Sequence, residues 1–496
     1  MKNIRLVFVG ILVVAVVFLI APDAFAQKAL PLKVTLIFDI GGRGDGGFND
    51  SAYRGLEKAV AELGVKAVYL EPGGSLDREN ALNSAAASDA DMIIGAGFIF
   101  TDRMNALAAQ YPDKKFVCVD YSIRSDNQGR IQAIPENLAA LLFKEEEGSY
   151  LVGAIAALKS RTGKIGFLGG MDSPIIRKFQ SGYLAGAKSV RKDIIVLSEF
   201  AGITGRAFND PQKGYRIANR MYGQGADIIY HASGVTGEGL FRAAKKWRRW
   251  AIGVDIDQSA QAPGLILTSM TKHVDIAVFE SVKACVAGNF SGGRKTFGLK
   301  ENGVGFVYDD HNKALISAGI HDQVLALREK IVSGELIVPD AGQGKPLLAR
   351  NDLKDFLSEL KDEITATLDR QGADSKHDAK MLSVTELNGI IAPIASHLPV
   401  DIFLMQPDGL MIYDVDPDQI GRNVFHDPLY QPFPELLALA KKVAVNKKGT
   451  GVYRFYQEGS DAPVIKKAYW KTIGRHGAEW RIVITCAKDR IEKKGP

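Results

Sequence analysis

The sequence predicts two doubly wound α/β sheets in tandem, facing each other across a cleft, followed by a smaller antiparallel α+β domain. Three observations carry this. From Lys33 to about Val338, apolar strand-like runs alternate with helix-like stretches, the pattern of parallel strands joined by crossover helices. A cycle of four such strands occurs twice. After Pro339 the alternation stops, and helices precede a run of strands with hairpin signals.

In chain order, MKNIR, the apolar run LVFVGILVVAVVFLIA and Ala24-Phe25-Ala26 form a secretory signal peptide over residues 1–26, cut before Gln27. The run approaches the roughly 18 residues of a membrane span, so an uncleaved anchor is the alternative; the Ala-x-Ala site favours cleavage. No cysteine follows the run to carry a lipid. The exported part should then be periplasmic. Residues 27–339 hold the two lobes. VTLIFDI, VKAVYLE, ADMIIGAG and KKFVCVD are the first four strands, and KIGFLGG, DIIVLSEFAG, ADIIYHASG and WAIGVDID are the second four. An amphipathic helix around EEGSYLVGAIAALKS separates them, and LILTSMTK with HVDIAVFESVKACVAG continues the second set. Residues 340–350 read as a linker, and 351–490 as a helical lead-in and an antiparallel sheet. There the strand candidates are VDIFLMQPDG, LMIYDVDP, GVYRFYQEG, VIKKAYWKTI and EWRIVITCA, with PDG closing the first hairpin and PELLALAKKVAVN a helix between the second and third.

Composition narrows the function. A formal charge of +5, scattered along the chain, does not suggest nucleic acid, and KKWRR at Lys245–Arg249 reads as a solvated helix end. Cys118, Cys285 and Cys486 allow at most one disulfide and lack metal-ligand spacing.

Gly42, Gly44 and Gly47 reproduce the G-x-G-x-x-G spacing of a dinucleotide-binding turn, between a strand and a helix, with Glu71 ending the next strand. Tight turning explains the same glycines, and an exported chain meets little nicotinamide cofactor. No cofactor is therefore expected. Ligands of doubly wound sheets lie beyond the carboxyl ends of the strands. Those ends carry Asp39, then Phe48 and Asn49, Asp120, Gly169-Gly170, Phe208, Ser233-Gly234, Asp255 and Lys272. Carboxylates with aromatic rings repel a phosphate and suit a neutral, polar, flat ligand.

DIGGRGDGGFNDSAYRGL, GFLGGMDSPIIRKFQSGYLAGA, GADIIYHASGVTGEGLF, WAIGVDIDQ and LTSMTKHVDIAV, in this order over about 300 residues, resemble the basic membrane protein family of periplasmic substrate-binding proteins. The resemblance implies a type I periplasmic-binding-protein fold and, as in the family's purine nucleoside receptors, delivery to an ABC permease in the inner membrane. It implies that Phe48 and Phe208 sandwich a base, Asn49 and Asp120 bond its edge, Gly234, Asp255 and Lys272 hold the ribose, and Asp39 lines the floor. Where relatives carry a pair of acids and a serine, this chain has Gly44-Asp45-Gly46-Gly47, a less polar wall. DGLMIYDVDPDQIGRNVFHD, GTGVYRFYQEG and KKAYWKTI resemble extracellular Cache (PAS-like) sensor domains, in which Tyr453 and Trp470 would line a pocket or fill the core.

Two other functions compete. A receptor that signals through a membrane sensor protein, without uptake, fits the C-terminal domain. A calcium-dependent nucleoside hydrolase would need more ligands than Asp39 and Asp45, since Ca²⁺ takes six to eight oxygens. No nucleophile–histidine–acid order or metalloprotease motif accompanies the cleft, so the chain reads as a non-enzyme.

Overall fold

The computed structural model describes residues 31–73, 75–123, 131–340, 350–374, 382–395, 400–455, 463–475, 478–488 and 491. The expected signal peptide over residues 1–26, the expected Gln27 boundary and linker positions 341–349 lie outside the described residues. Among the described residues, no helix is long and apolar enough to cross a membrane.

Lobe 1 begins with β1 (Lys33–Ile37), α1 (Phe48–Leu63), β2 (Lys66–Leu70), α2 (Ser75–Ala87), β3 (Met92–Ala96), α3 (Thr101–Gln110), β4 (Lys115–Val119) and β5 (Leu138–Phe143). Lobe 2 follows with α4 (Glu145–Lys159), β6 (Lys164–Met171), α5 (Pro174–Val190), β7 (Ile195–Gly202), α6 (Pro211–Gly223), β8 (Ile228–Ala232), α7 (Gly237–Trp247), β9 (Trp250–Asp255) and β10 (Ile266–Lys272). The chain returns to lobe 1 for α8 (Val274–Val286) and β11 (Gly293–Phe297), then crosses again to β12 (Val304–Phe306) and α9 (Ala318–Ser333).

The first sheet has the order β11-β5-β4-β3-β1-β2, all parallel; the second has the order β12-β10-β9-β8-β6-β7, with only β12 antiparallel. Central strands such as MIIGA and KFVCV are buried on both faces, which is why they read as continuous apolar runs. All three crossings lie at one edge of the two sheets. They are stitched there by Lys144 N–H to Phe297 O (3.0 Å) and His273 N–H to Gly303 O (2.8 Å). The cleft therefore has a hinge on the β5/β10 side and a mouth on the opposite side, at the β2 and β7 edges.

Two expectations are corrected. Helix α4 is not amphipathic: Glu145 to Ala157 are all buried, Glu145–Glu147 included, because the helix is enclosed by α5, α9, β10 and β12. Strands β5, β11 and β12 are additional to the expected eight and the continuation. LAALLF has the composition of a helix, GRKTF is a polar edge strand, and VGF is too short to register as a period.

The C-terminal part comprises α10 (Arg350–Asp374), α11 (Val384–Ala395), β13 (Asp401–Met405), β14 (Met411–Asp414), α12 (Pro434–Val445), β15 (Lys448–Phe455), β16 (Val464–Arg475) and β17 (Ala478–Ala487). All five expected strands form one antiparallel sheet of order β14-β13-β17-β16-β15. The PDG turn has Gly409 at φ +92. Helix α10 buries Leu353, Phe356, Leu360, Ile364 and Leu368, at helical spacing, in a core shared with β16 and β17.

Candidate functional site

The glycine turn closes on its own side chains. Gly42, Gly44 and Gly46 adopt φ of +61, +84 and +59, a region that favours glycine. The Asp45 carboxylate accepts from the N–H of Gly47 (2.9 Å), Asn49 (2.9 Å) and Asp50 (3.1 Å), and Asp50 accepts from Gly44 (2.8 Å) and Gly46 (2.9 Å). These amides, which would cradle a phosphate in a dinucleotide site, are already bonded. Glu71 accepts from Arg43 N–H at 3.4 Å and so belongs to the same turn. Asn49 Oδ1 accepts from Asp39 N–H (2.9 Å), and its Nδ2 donates to Asp45 (3.1 Å) and to Ile40 O (3.4 Å). The result is a rigid strand-to-helix corner that presents Phe48 as the first residue of α1.

All eight residues expected from the sequence (Asp39, Phe48, Asn49, Asp120, Phe208, Gly234, Asp255 and Lys272) line one cavity between the lobes. Its volume is about 70 Å³, against roughly 300–1,000 Å³ for typical small-molecule pockets. The lobes are thus closed on each other. Gln258 Nε2 of lobe 2 donates to Gly46 O of lobe 1 (3.0 Å), and Ile40 packs on Gly205.

Two carboxylates occupy matching strand ends in the two lobes with left-handed backbone, Asp120 (φ +60) after β4 and Asp255 (φ +68) at the end of β9. Such conformations in non-glycine residues store strain and gather at functional sites. Lys272 Nζ lies 2.6 and 2.7 Å from the Asp120 oxygens and 2.9 Å from Glu145 Oε1. The rings of Phe143, Phe48 and Phe179 stand 4.9, 5.3 and 5.6 Å from the same ammonium. Burial alone would push Lys272 down, but the Asp120 and Glu145 carboxylates outweigh it and hold the amine protonated.

Asp255 has no such match. It is 9 % exposed, and its carboxylate has no hydrogen-bond partner among the described residues. Burial pushes it up to about 7, with Lys272 only partly offsetting the desolvation. Burial likewise raises Asp39 to about 7. Behind the cavity, His231 bonds Ser233 Oγ (3.1 Å) and Gln258 Oε1 (3.0 Å), and its own burial keeps it neutral, near pKa 4. Phe208 is seated by a close approach that a side chain at position 170 would block, since a Cβ on Gly170 would stand 2.5 Å from the ring.

Reading strand ends missed Phe98, Ile176 and Phe179, which also line the cavity, and Glu145, which holds Lys272. Ile176 and Phe179 lie on one face of α5, a spacing that marks a helix but not a ligand wall. In the C-terminal domain a second cavity, of about 330 Å³, is lined by Tyr453, Tyr430, Asp401, Asp414 and Lys466. Trp470 does not line it; it is core, donating to Asn446 O at 2.9 Å. Among the described residues, the one group of carboxylates and imidazoles close enough to share an ion is Asp257, Asp309 and His311, none of which lines the cleft.

Comparison with known proteins is consistent with this architecture. The family described as "Bmp: ABC transporter substrate-binding protein PnrA-like" matches residues 32–342. Basic membrane protein A of Borreliella burgdorferi is 37 % identical over 66 % of this chain and 94 % of its own length. The CD4+ T-cell-stimulating antigen of Listeria monocytogenes is 35 % identical over 63 % of this chain and 90 % of its own. A solute-binding protein of an ABC transporter system from Aeropyrum pernix superposes with a TM-score of 0.56 at 30 % identity, covering 67 % of this chain and 98 % of that one. Another, from Conexibacter woesei, shares the fold at a TM-score of 0.50 and 23 % identity, over 62 % of this chain and 99 % of that one.

Proposed function

The chain belongs to the Bmp family of PnrA-like ABC transporter substrate-binding proteins, and from that premise we propose that it captures a nucleoside, a purine nucleoside by preference, outside the cytoplasm and hands it to an ABC permease. The carrying observation is Asp255, a buried carboxylate with no hydrogen-bond partner among the described residues, at a strained strand end in a cavity rimmed by Phe48 of one lobe and Phe208 of the other. A carboxylate held in that condition suits paired hydroxyl donors such as those of a ribose, and rings from opposite lobes suit a base that the lobes close upon. In this reading Asp255, Lys272 and Gly234 hold the sugar. Asp120 bonds the base edge, joined by Asn49 through the acceptor capacity left on its Oδ1, and Asp39 lines the floor. The reaction class is binding without chemistry. The test is calorimetric titration of the mature chain with guanosine, inosine, adenosine, their free bases, ribose and amino acids; release of free base during the titration would indicate a hydrolase.

The C-terminal domain supports a second output. A cavity of about 330 Å³ there is lined both by polar groups, Asp401, Asp414 and Lys466, and by apolar ones, Met405, Leu436 and Val443, within the range of small-ligand pockets. That favours a Cache-like sensing or interaction domain joined near Pro339, and a signal passed to a membrane sensor protein as well as, or in place of, uptake.

A further inference from the structure

We infer that the C-terminal domain is a clasp across the mouth of the cleft, seated on both lobes at once, so that the lobes part only when α10 and α11 give up one of their seats. The mouth is the edge farthest from the hinge, where β2 and β7 end the two sheets. Gly73, just after β2, and the Gly202–Lys213 segment, from the end of β7 into α6, meet α10 there around a cavity of about 610 Å³. Ile40 lines both this cavity and the ligand cleft, so the two adjoin.

The seat on lobe 2 is polar with one apolar anchor. Thr204 Oγ1 donates to Glu359, Arg206 lies 3.7 Å from Glu359 and 3.9 Å from Asp362, and Lys213 lies 3.8 Å from Asp355. Ile203, in the same segment, is buried in the core that α10 forms with the C-terminal sheet. The seat on lobe 1 is α11 against α2, where Gly389 abuts the Glu79 carboxylate. Arg78 of α2 also lines the mouth, and its charge acts both on Asp39 inside the cleft and on Glu359 of α10.

An element bonded to one lobe and packed on the other opposes their separation. Exposed ion pairs are individually weak, so this clasp is reversible and not a permanent seal. By linkage, whatever stabilises the closed cleft also stabilises the seated C-terminal domain, and whatever draws that domain away eases the cleft open. A ligand leaving for a permease passes through the mouth, so delivery and displacement of the C-terminal domain are one event. None of this depends on which ligand the cleft takes.

Hydrogen exchange on the full chain, without ligand, tests it. Peptides covering Gly44–Leu56 and Ile228–Phe241, which wall the cleft on either side, report opening. Glu359→Lys sets a like charge against Arg206 and should speed exchange in both peptides about fivefold or more; adding Arg206→Glu should bring the rate back towards that of the parent. Ile203→Asp, which unseats α10 from the lobe 2 side and leaves the C-terminal chain unaltered, should produce the same rise. Faster exchange confined to α10 and the C-terminal sheet, or unchanged cleft peptides in both variants, overturns the inference.

Discussion

Lys272, the last residue of β10 in lobe 2, places its ammonium 2.6 Å from Asp120, which follows β4 in lobe 1, and so bridges the cleft next to the hinge. Glu145, the first residue of α4 after the opposite crossing, stands 2.9 Å from the same ammonium and 2.9 Å from Lys178. Cation and carboxylates are all nearly inaccessible to solvent, so each depends on the others for its charge.

Removing one member should therefore cost far more than a surface ion pair does. Lys272→Met is expected to lower unfolding stability by about 3–5 kcal/mol, because it strands Asp120 as a buried charge and leaves Glu145 with Lys178 alone. Lys272→Met with Asp120→Asn should cost less than the sum of the single changes, as measured by denaturant unfolding. Strict additivity would mean that the two residues do not act as a pair.

The unpartnered aspartate gives a dependence on pH. Burial raises Asp255 to about 7, far above the unfolded value of about 4. Between those values the folded chain keeps a proton that the unfolded chain has released, so this residue's contribution to stability declines as pH rises and is lost above pH 7. Asp255→Asn should consequently stabilise the protein by roughly 2–4 kcal/mol at pH 7.5 and by little at pH 4. Thermal unfolding of parent and variant at the two pH values checks this. A variant no more stable than the parent at pH 7.5 would mean that the carboxylate has found a partner.

Much of this architecture was readable because the central parallel strands are buried on both faces and so announce themselves as apolar runs. All eight expected cleft residues came from a topological rule about strand ends, and the two lobes do bring them to one cavity. What escaped was what depends on packing between distant segments. Glu145, one residue ahead of the stretch EEGSYLVGAIAALKS, carries no sign in the sequence that it is buried against Lys272 and Lys178. Phe179 reads as ordinary helix core. Asn49 shows as a polar residue beside the cleft, but nothing in the sequence reveals that its amide is engaged by Asp39, Ile40 and Asp45.

Cleavage of the exported protein should respect the organisation along the chain. Intact mass of the periplasmic form should correspond to a chain beginning at Gln27, after Ala24-Phe25-Ala26. Limited proteolysis should cut first between Asp340 and Arg350, in the linker and not within either fold. A first cut within residues 33–330 would contradict a domain boundary near Pro339.

The central claim is that the cleft is built around a nucleoside, and calorimetric titration across a ligand series tests it most directly. The parent should bind purine nucleosides. Phe48→Ala and Phe208→Ala should each weaken them about tenfold or more, the loss expected when a base forfeits a stacking partner. Asp255→Ala should weaken nucleosides while sparing free bases, since its partners are ribose hydroxyls. If Phe48→Ala binds guanosine, inosine and adenosine as the parent does, or if the parent takes amino acids or sugars and no nucleoside, the account is contradicted.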